Sequence, residues 1–234
     1  MTIQAVVIAL LIIGSNLYGF QLPSSRTAPE EVVNRFESHG ESALQTLVNF
    51  GRVTNTPIGI VISDRALCEQ KVDVISNGES AAVVTAEILS TVPAYKWSVQ
   101  GEVVVVEPRA PVGPLAQLLQ ISIPRFATPG GILQAQNIDL WMFTHALLIP
   151  VGGTGASVLS SPDQQRADAI EMNHVSVVDV LNRIISRKPK GLWIIPPLTE
   201  PLESAIQQPV SEVMTYGEPL APGPDRFASC EPIR

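Results

Sequence analysis

Among the residues able to do chemistry, the histidines lead least far. His39, His145 and His174 stand apart in sequence, none in an H-E-x-x-H helix and none beside a paired-cysteine motif, so no spacing that gathers a metal is present. Each reads as a structural or surface histidine. No G-x-S-x-G nucleophile elbow and no S-x-x-K at a helix start occurs. Gly152-Gly153-Thr154-Gly155 has the glycines of an anion cradle, but no Lys-Ser/Thr follows it, and it reads as a flexible loop. Glu30-Glu31, and Asp163 with Asp168, lie in polar runs where solvated charge is the plain explanation. The sequence points to no catalytic residue, no metal and no cofactor, and to a non-enzymatic protein.

Two groups remain. Cys68 and Cys230 are the only cysteines, an even count that allows a single long-range disulfide in an exported protein; two separate thiols are the alternative. Trp97, Trp141 and Trp193 are large amphipathic side chains that serve either as packing between helix and sheet or as an aromatic surface for a partner.

Composition narrows the class. With 45% hydrophobic residues, 234 residues can bury a substantial core. A net charge of -7, with only 15 Lys and Arg spread along the chain, argues against nucleic-acid binding, which depends on neutralising phosphates. No charged side chain precedes Arg26, and Ala5–Ile13 is an apolar run of signal-peptide length. The expectation is a signal peptide over 1–20 and a periplasmic or secreted protein; an uncleaved anchor is the alternative, and only that would bring a membrane contact. Residues 21–27, polar and broken by proline, form a linker.

The elements that must position these residues follow from periodicity. Val32, Val33 and Phe36 suggest a first helix, and Ser42 caps a second carrying Leu44, Leu47, Val48 and Phe50, with Gly51 as its stop. Ile58–Ser63 is a buried strand, and Val72, Val74 and Ser76 share one face of another. A helix capped by Ser80 carries Val83, Val84, Ile88 and Leu89 as far as Pro93. Tyr95–Gln100 then turns at Gly101-Glu102 into Val103–Val106 as a hairpin.

Ser176–Trp193 repeats Ser80–Trp97 without a gap, with identical residues pairing Ser80 with Ser176, Val84 with Val180, Ile88 with Ile184, Ser90 with Ser186, Pro93 with Pro189 and Trp97 with Trp193. The fold class is therefore α+β: two related β-α-β(β) halves, 28–108 and 109–197, joined at the proline-rich Glu107–Pro114 and followed by an extended proline-rich tail over 198–234. In the second half Leu115–Ile123 is a short helix running into a strand, and Asn137 caps a helix to Leu147. Asp168–Met172 is a strand, Val177, Val180, Leu181, Ile184 and Ile185 stripe the Ser176 helix, and Leu192–Ile195 closes the half, with no clear fourth strand.

The first half resembles the short N-terminal domain shared by secretins and TonB-dependent transporters. The likeness rests on Leu44-x-x-Leu47, the Ile60-Val61-Ile62 strand, Val72-x-Val74, the Ala81–Leu89 helix, and Trp97 with the Val103–Val106 hairpin; Ser90–Tyr95 departs from the Gly-Thr-Gly-Leu-like turn usual after the second helix. The resemblance implies two helices packed on short sheets, a docking or signalling role in the cell envelope, and no active site.

Two functional expectations result. One is an exported module that binds another envelope protein through a sheet edge, with Trp97, Val103, Val105 and Trp193 as the partner surface, or through the apolar stretch Leu147–Val151. The other is a small-ligand binder or enzyme with His145, His174, Asp168 or Arg166 gathered in a cleft between the halves.

Overall fold

Ile58-Gly59-Ile60-Val61-Ile62 is apolar without alternation, the pattern of a strand covered on both faces, and that is where the chain places it. The computed structural model describes residues 32–148, 166–186, 191–202, 211–215 and 230. The N-terminal apolar run, the linker, the Gly152–Gly155 cluster and most of the tail lie outside the described residues.

The first half runs β1 (Phe36–Ser42), α1 (Ala43–Thr54), β2 (Ile58–Val61), α2 (Ala66–Glu69), β3 (Lys71–Ser76), α3 (Ala81–Ser90), β4 (Tyr95–Gln100) and β5 (Val103–Pro108). The second runs α4 (Gly113–Leu119), β6 (Ser122–Thr128), β7 (Gly131–Ile132), α5 (Leu133–Leu148), β8 (Arg166–Ala167), β9 (Ile170–Ser176), α6 (Val177–Ser186), β10 (Gly191–Ile195) and β11 (Glu212–Thr215).

The two halves share one five-stranded sheet of order β11-β10-β2-β5-β4. The three central strands are mutually parallel, and the two edge strands run antiparallel to them. Alternation then divides the sheet between two cores. Ile58, Ile60, Val104, Val106, Leu192 and Ile194 face the first half, with α1 and α3 over them and the antiparallel pair β1–β3 beyond. Val61, Val103, Val105, Trp193, Ile195 and Val213 face the second half, with α5 and α6 over them and β6–β9 beyond. The result is a mixed α+β fold of helices packed against small sheets. No helix among the described residues is long and apolar enough to cross a membrane.

Several local expectations change. The stretch before Ser42 is a strand and not a helix: Phe36 and Ser38 are buried alternately in β1, which gives its backbone bonds to β3, with a bulge at Gly40, whose φ is 63°. Gly51 does not stop α1. The helix continues to Thr54 and ends at left-handed Asn55, and Gly51 is small because a Cβ there would meet the Ile58 side chain at 2.9 Å and the Thr56 carbonyl oxygen at 3.0 Å. Ser42 and Ser80 do cap their helices, accepting from Gln45 N at 3.2 Å and Val83 N at 3.3 Å. In α3 the exposed Val83 leaves the buried stripe to Thr85, whose hydroxyl donates to Ala81 O at 2.8 Å. Asn137 lies inside α5 and does not cap it.

The repeat is also less symmetric than its identities suggest. β4 and β10 correspond in sequence, yet β4 lies at the edge of the shared sheet and β10 beside its centre. Trp97 is half-buried at that edge; Trp193 is fully buried, its indole lying against Gly59, where any Cβ would collide with it. The fourth strand of the second half exists as β11, far along the tail. It is held by Trp141 Nε1 donating to Ser211 Oγ at 2.8 Å and Asn137 Nδ2 donating to Ser211 O at 2.9 Å. The tail is tied again where Cys230 forms a disulfide with Cys68 on α2, across 162 residues.

Two stability predictions follow from this packing. Trp193→Ala opens a cavity at the sheet centre and leaves Asn182 without the indole donor, costing about 3–5 kcal/mol, whereas Trp97→Ala costs less than half as much; urea unfolding of both variants measures the ratio, and equal losses would make the two positions equivalent after all. Cys230→Ser lowers unfolding free energy by ~3–5 kcal/mol through the looser unfolded chain, and reducing agent lowers the wild type but not the variant.

Candidate strand-docking edge

β4 and β5 meet in the register Gln100↔Val103, Ser98↔Val105 and Lys96↔Glu107, and the Arg109 N–H donates to Ala94 O at 2.8 Å on the same ladder. Antiparallel pairs alternate between exchanging backbone bonds and exchanging none. Ala94, Lys96, Ser98 and Gln100 therefore bond to β5, and Trp97 and Val99 turn their N–H and C=O groups away from it. No described strand lies on that outer side. Pro108 stands opposite Tyr95, a position that needs no ladder donor, so its missing N–H costs the hairpin nothing.

The strand is held firmly from both faces. On the first-half side Tyr95 is buried, and its hydroxyl accepts from Ser63 N at 3.0 Å, with Ser63 Oγ at 3.1 Å and Asp64 Oδ1 at 3.4 Å. Burial pushes the Tyr95 phenol above its ordinary range, against the opposing pull of the Ser63 hydrogen bonds. On the second-half side Asn182 Nδ2 donates to Gln100 Oε1 at 2.8 Å while Asn182 Oδ1 accepts from Trp193 Nε1 at 2.9 Å. One buried asparagine thus ties the end of β4 to the centre of the sheet.

At that end lies an open groove of about 690 Å³, walled by the Gln100–Glu102 turn, by Met172 and Val175 of β9, and by Asp179, Asn182, Arg183 and Ser186 of α6. Asp179 is committed to the helix start, where its Oδ2 accepts from Ser176 N at 2.8 Å and Ser176 Oγ at 2.7 Å.

The expected partner surface needs correction. Val103 and Val105 are fully buried, because β5 is an interior strand between β2 and β4, and Trp193 is fully buried as well. Of the four residues only Trp97 reaches solvent, and Val99, 44% exposed, joins it on the true edge. Leu147 is exposed on α5, and residues 149–151 lie outside the described residues.

The four residues expected in a cleft lie on α5, on β8 and β9, and on the connection between the last two. His145 is half-buried on α5, and His174 is exposed on β9 with a left-handed φ of 52°. Asp168 is exposed, its backbone oxygen accepting from Gln136 Nε2 at 2.5 Å, and Arg166 belongs to the short strand β8. Neither histidine nor Asp168 lines the groove between the halves. His39 is exposed, 3.7 Å from Asp73. Among the described residues no group of three His, Cys, Asp or Glu side chains could hold a metal. Gln100, Asn182 and Arg183 were missed; the one signal was an asparagine within the apolar stripe of the Ser176 helix.

No protein-family model, curated protein or solved structure matches this chain.

Tyr95→Phe is expected to cost about 1–2 kcal/mol by leaving Ser63 N without its acceptor. The raised phenol favours the protonated form in the folded state. Its stabilisation is complete below the unfolded value, about pH 10, and is lost as pH rises through the higher folded value. Denaturant unfolding at increasing alkaline pH should therefore show a drop in the wild type that is shallower in the variant.

Proposed function

We propose that this chain is an exported, non-enzymatic docking module of a cell envelope, which receives an extended segment of a partner protein as a further strand on β4. The observation that carries this reading is the outward backbone of Trp97 and Val99 at the edge of an otherwise rigid sheet, the geometry that strand addition requires. The apolar Ala5–Ile13 run and the Cys68–Cys230 disulfide support an oxidising, exported setting. The order α1, β2, the short α2, β3, α3 and the β4–β5 hairpin supports kinship with the secretin and TonB-dependent transporter N-terminal domain.

Val99→Pro is the discriminating variant. It removes an outward N–H while leaving every β4–β5 ladder bond in place, unlike proline in β5, which would break the interior of the sheet. With the chain as bait in an envelope extract, the wild type should retain a partner that Val99→Pro loses, the two having the same circular dichroism and melting temperature. Equal recovery by a folded Val99→Pro protein would overturn strand docking.

A further inference from the structure

We infer that the segment docked on β4 carries a carboxylate, received by Arg183. The inference rests on the strand-docking reading and adds the chemistry of the partner. Lys96, Ser98 and Gln100 lie on the second-half face of β4, opposite Glu107, Val105 and Val103. A strand laid along β4 sends every second side chain to that same face, where α6 stands beside the sheet edge. The groove is located there, at the Gln100 end of β4, and among the described residues Arg183 is the cation that lines it, beside the carboxylates of Asp179 and Glu102.

Three features single out Arg183. It is half-buried, so an ion pair formed with it is screened less than one in open solvent. The ion pairs found among the described residues join Arg35 to Glu37, His39 to Asp73, Lys96 to Glu107 and Arg125 to Glu171, and none engages Arg183. The nearest acid on its own helix, Asp179, is already occupied by Ser176, and Glu102, which lines the groove from the β4–β5 turn, makes no ion pair with Arg183 among the described residues. Among the described residues Arg183 is thus a planar fork of donors without an acceptor, beside a strand edge that no described strand pairs. The two features together fit an extended peptide with Asp or Glu at one groove-facing position and apolar residues at the alternate positions, over Trp97 and Val99.

The test is a displayed library of random linear octapeptides, selected on the full chain with its disulfide intact and counter-selected on Val99→Pro. Enriched peptides should carry Asp or Glu at one fixed position among alternating apolar residues. Arg183→Gln should weaken these peptides about tenfold and leave their Asn or Gln counterparts unchanged. Peptides that depend on Val99 but show no acidic preference, or that bind Arg183→Gln as well as wild type, would overturn the carboxylate inference and leave strand docking standing. If no peptide survives counter-selection, strand docking itself fails.

Discussion

The structure depends on one strand being buried on both faces. β2 with the Ile62 that follows it contributes Ile58, Ile60 and Ile62 to the first core and Val61 to the second, and Gly59 contributes only space, which the Trp193 indole fills. Without that space β10 could not lie against β2 in its present register, with Trp193 opposite Gly59. Because β10 belongs to the second half and β2 to the first, this contact joins the halves. They are not two bodies touching at their surfaces; each supplies one covering layer to the same sheet.

Much of this was legible in the sequence, and the failures have specific causes. The Ser42 and Ser80 caps, the Val72-Val74-Ser76 face and the Gly101-Glu102 hairpin depend on neighbours within a few residues, and they were read correctly. The helix expected before Ser42 failed because Val33 and Phe36 have a helical spacing, whereas Val33 precedes the strand and Phe36 shares its buried face with polar Ser38; what decides for the strand is pairing with Lys71–Ser76, a long-range bond that local pattern does not carry. β11 was hidden for the same reason. Its four residues are placed by the β10 ladder and by the buried Asn137, Trp141 and Ser211 network, set by α5 far upstream.

The proposed docking edge shows the limit most sharply. A run of four valines invites the reading of an edge rich in β-formers, but a strand that apolar on both faces must be interior, and Val103–Val106 is covered by a core on each side. The edge strand is instead the one that mixes Tyr, Lys, Trp, Ser, Val and Gln. The repeat misled in the same way. It paired Trp97 with Trp193 by sequence position, whereas sheet order gives the two tryptophans different surroundings.

The two edges of the shared sheet are unlike in ways that bear on function. β11 is short, carries buried Val213, and is anchored by buried hydrogen bonds just before it starts. β4 is longer, with an exposed Val99. Natural sheets blunt exposed edges with lysine, proline or bulges. On β4, Lys96 is the only such charge, and it is drawn across the sheet to Glu107 at 3.1 Å and away from the open side. Pro108 sits on the neighbouring strand, where it blocks nothing. A sheet that hydrogen-bonds Tyr95 on one face and Gln100 on the other, yet leaves Trp97 and Val99 between them with outward-facing backbone groups, keeps an edge both rigid and open. Strand addition needs both properties: rigidity spares a partner the entropy of ordering its receptor, and openness supplies the donors and acceptors.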